Sequence, residues 1–416
     1  MAGVVGGVGI KQMLKASLKS KFAKHCLYIT YDGLLDPLGK SQILPYILGL
    51  CEVGYQFTIL SFEKIDRDPR QIRELAIHLE AKNISWLYIP FKHGRFQGLL
   101  RMLRGAGAVK RINREMPFEL AHLRGILPTV IYKLALLKKP FIYDIRAFLG
   151  QWVDAGRLKN GSPAQCLLDW LERRLIRDAA GLVVLDQSGG DYLRTTYKRL
   201  PPLKVIPTST DLYTLPAGFI NVEDQPSARL RFVFLGGARF PYLPLEALQF
   251  VMAMLEHGCD CVIDFINERD HELIEKACQI TGFPSDRVRI FALSSDDVRL
   301  KLPTYHCGLV FIADGPWIRM SSPTKIGEYL AAGLHVVGLK RIAVLDRLAC
   351  QSSAVDVIER FEQGCQLLNH QAADLVSRIQ APTRPAEARR MAEQHYDRAT
   401  AVAEYVDLYQ QVFPRR

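Results

Sequence analysis

The residues whose types and spacing could do chemistry are concentrated in SSPTKIGEYLAAGLHVVG, 321–338. Ser322 suits a helix N-cap and Pro323 suits the first helical position, so the spacing predicts a helix that begins here. Its first turn would present free backbone N–H groups, the Thr324 hydroxyl and the Lys325 ammonium. A helix N-terminus with an added cation attracts anions, and a phosphate group is the expected ligand.

Glu328 lies one turn inside the same predicted helix. A carboxylate at that depth can accept hydrogen bonds from both hydroxyls of a ribose. Small residues at Ala331 and Ala332 would let the helix pack closely on a sheet, and Gly333 would end it. The segment therefore predicts a nucleotide site, although a capped surface helix with an exposed lysine and glutamate would have the same pattern.

A second candidate is DGLLDPLGKSQ, 32–42, which follows an apolar run and ends in Gly39-Lys40-Ser41. A strand, a glycine loop and a helix joined by Gly-Lys-Ser are typical of a phosphate-binding P-loop, whose glycines have four residues between them. Gly33 and Gly39 have five residues between them. The segment is therefore one residue too long for a P-loop, and a P-loop NTPase remains the alternative to a different ligand-facing glycine loop.

These residues must be positioned by strands, since short apolar runs alternate with helical patterns along most of the chain. The predicted strands are 26–30, 57–62, 84–89, 118–123, 141–144, 181–185, 203–206, 230–236, 260–266, 287–291, 307–313 and 334–338. This alternation predicts parallel, doubly wound sheets, with ligands at the carboxyl ends of the strands. The pattern lapses after the seventh strand and then restarts, and a chain of 416 residues is too long for one core.

The predicted organisation has five parts. A basic amphipathic segment occupies 1–25, and a Rossmann-like domain occupies 26–210. A linker at 211–229 leads to a Rossmann-like, nucleotide-binding domain at 230–395. A helix at 396–416 is expected to pack back on the N-terminal domain. We therefore predict an α/β protein with two doubly wound domains facing across a cleft and a helical tail.

The formal net charge of +11 is concentrated in two segments that contain no acidic residue. Their cations are Lys11, Lys15, Lys19, Lys21 and Lys24 in 1–25, and Arg95, Arg101, Arg104, Lys110, Arg111 and Arg114 in 95–114. Leu99, Leu103, Ala106 and Ile112 recur at helical spacing beside the second set. Such basic amphipathic helices are typical of binding to anionic membranes, and a solvated face is the alternative. No aromatic-interleaved basic motif indicates a nucleic-acid partner.

Compartment and metal content are predicted from absences in the sequence. No uncharged apolar run approaches the roughly 20 residues of a membrane span, and the lysine- and glycine-rich start does not resemble a secretory signal. The nine cysteines are scattered without a CxxC pair, which favours reduced, buried thiols. We expect a cytoplasmic protein, located at the inner face of the plasma membrane if its basic helices bind lipid. No Asp-x-Asp motif indicates a metal.

The segment SPTKIGEYLAAG resembles the donor-binding motif of family-four glycosyltransferases of the GT-B fold, in the form S-P-x-K-x-x-E-Y-x-A-x-G. Other segments are similar to family motifs in the expected order. VIPTSTDLYTL (205–215) resembles the interdomain segment, RFVFLGG (231–237) the first strand and glycine turn of the donor domain, and ELAHLRG (119–125) the strand that ends in His-x-His. The resemblance covers nearly all of 25–395.

The resemblance implies roles for particular residues. Binding of the donor nucleotide would involve Ser322, Thr324, Lys325, Glu328, Gly236, Gly237 and Arg239. The acceptor side would include Gly39, Lys40, Ser41, His122, Arg124, Asp144 and Arg146. Catalytic roles would belong to Glu328, Lys325, Arg124 and Arg239. A purely structural ion pair is the alternative for Asp144 and Arg146.

The sequence departs from the family pattern at three places. The first acid of Glu-x7-Glu is Met320 here, and the second histidine of His-x-His is Arg124. The usual cations after the donor-domain glycine turn are missing at their spacing, so Arg239 and Lys325 would have to replace them. A GT-B-like scaffold without catalytic activity is therefore a further alternative.

The function implied is metal-independent transfer of a hexosyl group, with retention of configuration, from a nucleoside-diphosphate sugar and without a cofactor. The acceptor would be a saccharide or a lipid-linked molecule in cell-envelope or exopolysaccharide synthesis.

Overall fold

The computed structural model describes residues 24–91, 98–212, 229–359 and 369–413. Within them the chain forms two α/β domains, each built on an all-parallel sheet, which confirms the predicted fold class. The predicted basic segment 1–25 lies outside the described residues except for its last two positions. Most of the predicted linker 211–229 also lies outside them.

The first sheet has seven strands in the order β3-β2-β1-β4-β5-β6-β7. They are β1 Lys24–Thr30, β2 Tyr55–Lys64, β3 Ser85–Phe91, β4 Leu120–Arg124, β5 Phe141–Asp144, β6 Gly181–Val184 and β7 Leu203–Val205. The helices of this half are α1 Pro37–Gln42, α2 Leu44–Glu52, α3 Pro69–Ala81, α4 Gly98–Glu115, α5 Ile126–Leu134, α6 Gln151–Asp154, α7 Pro163–Asp178 and α8 Gln187–Thr196. The strand order reverses between β1 and β4, and open parallel sheets bind ligands beside such a switch point.

The second sheet has six strands in the order β10-β9-β8-β11-β12-β13. They are β8 Leu230–Leu235, β9 Cys261–Ile266, β10 Val288–Phe291, β11 Cys307–Val310, β12 His335–Leu339 and β13 Val355–Ile358. The helices are α9 Pro244–Glu256, α10 His271–Thr281, α11 Ser295–Lys301, α12 Thr324–Ala331, α13 Ala343–Ala349, α14 Asn369–Ile379, α15 Arg384–Tyr396 and α16 Arg398–Val412. Its switch point lies between β8 and β11.

Both sheets are covered on both faces, which explains their nearly continuous apolar strands. In β1, Leu27 and Ile29 belong to one hydrophobic cluster, whereas Cys26 and Tyr28 belong to the cluster on the opposite face. Successive side chains of a strand point to opposite faces, so each strand contributes to two cores.

Several helices begin where a polar side chain caps a backbone N–H group, as capping residues at these positions predict. The capping residues are Asp68 before α3, Ser162 before α7, Asp186 before α8, Ser294 before α11 and Asp397 before α16. These caps fix where each helix leaves its loop.

The last helix returns to the N-terminal domain. α15 packs in the core of the second domain through Ala388, Met391 and Ala392. One residue separates it from α16, where the Thr210 N–H donates to the Tyr396 carbonyl at 2.8 Å. Tyr405 and Leu408 of α16 lie in the core of the first domain. The end of the chain therefore joins both domains.

Two local features differ from the sequence-based prediction. The alternation predicted from the sequence does not include the break at Ile43 between α1 and α2. The break arises because Pro45 lies in the first turn of α2 and cannot continue a helix from α1. The predicted strands end at 334–338 and omit β13, a four-residue edge strand in which only one residue is buried, so it gives no continuous apolar run.

Candidate active site

The predicted donor helix is α12, and it starts at the carboxyl edge of the second sheet. Its N-cap residue is Pro323, so the prediction that Ser322 caps the helix is wrong. The Ser322 hydroxyl instead lies 3.2 Å from Thr208 Oγ1, which also donates to the Ser322 carbonyl at 3.0 Å. No side chain caps the first turn that contains Thr324. Within the described part of the chain, the first N–H groups of this helix therefore have no capping side chain.

Lys325 has an unusual environment for a lysine. Its side chain is buried, and Nζ has no hydrogen-bond partner among the described residues. Nζ lies 4.1 Å from the ring centroid of Tyr242 and 4.5 Å from that of Phe234. Burial lowers the pKa of the ammonium to about 7, although Glu328 opposes this shift. A buried cation that lies over aromatic rings, without a hydrogen-bond partner among the described residues, is suited to binding an anion.

The glycine turn after β8 brings backbone close to Lys325. Gly236 has φ of +95°, and a side-chain carbon built on it would lie 3.8 Å from Lys325 Nζ. The Gly236 carbonyl accepts a hydrogen bond from Asn267 Nδ2 at 2.7 Å. Gly237 faces the Tyr242 ring. The structure thus brings Gly236, Gly237 and Lys325 together, as the sequence predicted for a donor site, while their contacts with a donor stay a prediction.

Glu328 lies one turn after Lys325 and is partly buried. Burial raises the pKa of its carboxyl group, and the charges of Lys325 and Arg299 oppose that rise. It lies on the second turn of α12, and its contact with a ribose stays a prediction.

Arg239 is paired within its own domain. Its side chain is 75% exposed, and Nε donates to Asp270 Oδ1 at 2.7 Å. Asp270 Oδ2 also accepts the Ala238 N–H at 3.1 Å. The predicted role of Arg239 at a pyrophosphate would therefore require it to leave this partner.

The loop between β11 and α12 docks on the first domain. Trp317 lies in a T-shaped contact with Tyr192, with ring centroids 5.1 Å apart, and a tilted contact with Phe148 at 5.8 Å. Asp154 Oδ2 accepts the N–H groups of Trp317 and Ile318 at 2.9 and 3.0 Å. Sequence analysis missed this contact, because nothing in the local pattern pairs residues about 160 positions apart.

Met320, at the position of the missing acid, belongs to the same docking loop. It ends the 3-10 helix Ile318–Met320 and packs against the core of the first domain. A charged residue at this position would have to be desolvated. Methionine in place of the family's acid instead makes an apolar contact between the domains.

The glycine loop after β1 folds on itself. A side-chain carbon on Gly39 would lie 2.2 Å from the Gly33 carbonyl oxygen, and the Asp36 N–H donates to that oxygen at 3.1 Å. The glycine is therefore required by the loop's own backbone, and a contact of Gly39 with a ligand stays a prediction. Lys40 is exposed, and the Ser41 hydroxyl donates to the Pro37 carbonyl at 2.8 Å. This closed loop does not form the phosphate cradle of a P-loop.

Four predicted acceptor-side residues meet at the carboxyl ends of β4 and β5. Asp144 is fully buried, with Oδ2 3.1 Å from Arg146 Nε and 3.3 Å from His122 Nε2. Burial alone would raise the pKa of Asp144, but Arg146, His122 and Arg124 together lower it to about 2. Burial lowers the pKa of His122. The cluster therefore contains an ionised carboxylate and a neutral imidazole at neutral pH.

His122 has no ring nitrogen available for an acceptor. Nδ1 lies 2.7 Å from the Tyr409 hydroxyl, and Nε2 contacts Asp144. Tyr405 donates to Asp144 Oδ2 at 3.4 Å. His122 therefore positions Asp144. Its predicted contact with the acceptor is not supported, because both ring nitrogens already have partners within the protein. Sequence analysis missed both tyrosines, although their spacing of four places them on one face of a helix.

Among the described residues, no cluster of His, Cys, Asp or Glu side chains has the geometry of a metal site. None of the described helices combines the length and apolar character that crossing a membrane requires.

Comparison with known proteins agrees with this architecture. Residues 42–208 match a family model described as a glycosyl transferase 4-like domain. The chain has the GT-B fold, and residues 42–208 are similar to glycosyl transferase 4-like domains. The family resemblance predicted from the sequence is confirmed. No curated protein matches this GT-B protein.

Solved structures similar to this GT-B protein share its fold at low sequence identity. Sucrose-phosphate synthase from Thermosynechococcus elongatus is 12% identical, with a TM-score of 0.68 and coverage of 94% of this chain and 99% of the other. A glycosyltransferase from Rickettsia africae is 11% identical, with a TM-score of 0.66 and coverage of 95% and 100%. A structure described as trehalose-6-phosphate from E. coli bound with UDP-2-fluoro glucose is 13% identical, with a TM-score of 0.64 and coverage of 94% and 100%. At these identities the likeness shows the fold alone.

Proposed function

We propose that this protein transfers a glycosyl group from a nucleoside-diphosphate sugar to a saccharide or lipid-linked acceptor. The observation that carries the proposal is the buried, unpartnered ammonium of Lys325 at the uncapped start of α12. The match to a glycosyl transferase 4-like domain and a fold neighbour with a bound UDP-sugar analogue support it.

The proposed chemistry needs positive charge where the donor diphosphate leaves. The bond between the sugar's anomeric carbon and the phosphate oxygen breaks, and an acceptor hydroxyl forms the new bond and releases its proton. Lys325 and the N–H groups of α12 would stabilise the charge that develops on the diphosphate. We propose that Glu328 holds the ribose and that the reaction uses these groups in place of a metal, with retention of configuration.

A panel of UDP-, GDP-, ADP- and dTDP-sugars tests the function directly, with released nucleoside diphosphate as the readout. One donor class should be turned over. Release from no donor at any concentration would indicate a non-catalytic scaffold and contradict the proposal. Stabilisation by ATP with magnesium, measured as a higher melting temperature, would favour an NTPase instead.

Replacing Glu328 with alanine should weaken binding of the nucleoside diphosphate by about tenfold to a hundredfold, because a carboxylate that accepts ribose hydroxyls is lost. Glu275→Ala is the matched control, since Glu275 is an exposed helical glutamate of the same domain. Isothermal titration calorimetry measures both. Equal affinity in the two variants would remove Glu328 from the donor site.

We propose that α4, in the first domain, binds the surface of a membrane. An acceptor in that membrane would then lie close to the first domain. The structure corrects the predicted apolar stripe, since Ala106 and Ile112 are buried in the core. Arg101 is also buried, with its guanidinium 4.5 Å from the Phe91 ring centroid. The exposed residues of α4 are Leu99, Leu100, Leu103, Arg104, Lys110, Arg111 and Arg114, together with Gly98, Gly107 and the single acid Glu115. Leucines among cations match an anionic bilayer surface, which is consistent with cell-envelope or exopolysaccharide synthesis at the inner face of the plasma membrane.

Replacing Leu99 and Leu103 with glutamate should abolish binding to vesicles that contain anionic lipid, because both apolar contact and positive charge are reduced. Ile280→Glu is the control, since Ile280 is equally exposed but lies on the other domain. Sedimentation with anionic and with neutral vesicles measures binding. Loss in the control variant, or no preference for anionic lipid in the unmodified protein, would contradict this part of the proposal.

A further inference from the structure

Two arginines lie side by side at the carboxyl edge of the first sheet, next to its switch point. Arg124 ends β4, and Arg146 follows β5, the neighbouring strand. The side chains of Arg124 and Arg146 are 5% and 14% exposed. A guanidinium is rarely withdrawn from water to this extent without strong partners.

The described residues satisfy the hydrogen-bond donors of these two guanidinium groups only in part. Arg124 Nε and Nη1 and Arg146 Nη1 are buried and have no hydrogen-bond partner among the described residues. Arg146 Nε lies 3.1 Å from Asp144 Oδ2, and Arg146 Nη2 donates to the Tyr405 hydroxyl at 3.5 Å. The carboxylates closest to Arg124 are Asp32 Oδ2 at 3.6 Å and Asp144 Oδ2 at 3.9 Å, both beyond hydrogen-bond distance. Asp144 also contacts Arg146, and the Asp32 side chain is 46% exposed. One buried carboxylate therefore faces two buried cations, and at least three of their N–H-bearing nitrogens have no hydrogen-bond partner among the described residues.

The backbone adds positive potential at the same place. Gly125 follows Arg124 and is the N-cap residue of α5, a nine-residue helix that no side chain caps. A side-chain carbon built on Gly125 would meet no described atom within 4 Å. The start of α5 thus combines the positive end of a helix with open space beside buried arginines.

We propose that Arg124, Arg146 and the start of α5 bind an anionic group of the acceptor, a phosphate or a carboxylate. The inference rests on the proposed function and deepens it by naming the acceptor's chemistry. The donor diphosphate has its own cation and helix in the second domain, at Lys325 and α12. A second cationic site on the opposite sheet therefore fits a second negative charge, carried by the other substrate. Arginine is suited to this role because its planar fork can hold two oxygens of one anionic group.

The test separates this site from the donor site. With the donor site saturated by nucleoside diphosphate, we measure binding of inorganic phosphate, inorganic pyrophosphate and glucuronate by calorimetry. At least one of the three should bind the unmodified protein. Arg124→Gln should weaken that binding about tenfold or more, while the affinity for nucleoside diphosphate stays the same. Arg70→Gln is the matched control, because Arg70 is exposed in the same domain.

The three probes also distinguish the source of the anionic group. Preference for pyrophosphate would indicate a lipid-diphosphate acceptor, preference for phosphate a phosphorylated acceptor, and preference for glucuronate an acidic saccharide. Arg124→Lys keeps the charge without the fork, so it should fold even if Arg124→Gln does not, and it should bind the preferred probe more weakly than the unmodified protein.

Two results would overturn the inference. One is that no probe binds once the donor site is filled. The other is that the Arg124 variants lose affinity for nucleoside diphosphate by the same factor as for the probe, which would assign the arginines to the donor. Neither result depends on turnover in the sugar-nucleotide panel, so failure of this inference and failure of the proposed function are distinguishable.

Discussion

Lys325→Met should abolish glycosyl transfer and still leave the protein as stable as before, or more stable. Nζ has no hydrogen-bond partner among the described residues, so folding buries an ammonium without compensation. Methionine has a similar length and suits the aromatic faces of Phe234 and Tyr242. Removing an unpaired buried charge relieves a desolvation cost, whereas transfer loses its charge stabilisation. We expect turnover to fall by about a hundredfold to a thousandfold.

Two measurements check this prediction, the rate of nucleoside diphosphate release and the melting temperature. Lys276→Met is the control, since Lys276 is exposed on α10 and should affect neither. A variant of Lys325 that unfolds would show that the ammonium stabilises the structure. Full turnover in a folded variant would remove Lys325 from the mechanism.

The same lysine predicts how donor affinity depends on pH. Burial lowers its folded-state pKa to about 7, and in the unfolded chain a lysine titrates near 10.4. Between these values the folded protein binds fewer protons, so this group makes the free energy of unfolding rise with pH across that window. A bound diphosphate favours the charged form and raises the pKa, so binding above pH 7 takes up a proton and weakens as pH rises. Calorimetry in buffers of different ionisation enthalpy should detect that proton, and Lys325→Met should lose it.

The donor helix was predictable because its determinants are local. Lys325 and Glu328 are three residues apart on one helix, and Gly333 ends that helix with φ of +81°. Periodicity and end signals in a short window were enough to place them. Ser322 was the exception, since its hydroxyl turned to Thr208 in the distant interdomain segment. A hydrogen-bond partner that is distant in sequence competed with the helix N-terminus for the Ser322 side chain. A local sequence pattern does not contain that partner.

The acceptor side was less predictable because its contacts span the chain. The sequence indicated that Asp144 and Arg146 belong near His122, but not that the end of the chain would cover them. Tyr409 bonds to His122 across 287 positions, and Tyr405 reaches Asp144 across 261. In the glycine loop after β1, a local pattern suggested a ligand contact, but the structure gives a different reason for the glycine. Gly39 is required because a side chain there would collide with the backbone of the same loop.

Gly150→Ala should weaken both stability and transfer, by displacing Trp317 from the first domain. The backbone of Gly150 is helical, with φ of −56° and ψ of −23°, so alanine is allowed there. Its added carbon, however, would lie 2.0 Å from the Trp317 ring. We expect a loss of about 1–3 kcal/mol in the free energy of unfolding, typical of overpacking. Gly107→Ala is the control, because nothing lies near Gly107 in α4 and alanine should stabilise that helix by about 1 kcal/mol.

A double-mutant cycle shows whether Trp317 is the cause. In a Trp317→Ala background the added carbon of Gly150→Ala has no ring to meet, so its cost should largely disappear, and the two effects should not add. If the two losses in the free energy of unfolding were additive, the strain caused by Gly150→Ala would not come from contact with the Trp317 ring. Transfer should fall in each single variant by up to about a hundredfold, because the loop that holds Trp317 leads directly into α12 and a small displacement there moves Lys325. If donor affinity also falls, contact between the domains helps to position the donor site, although none of the predicted donor ligands belongs to the first domain.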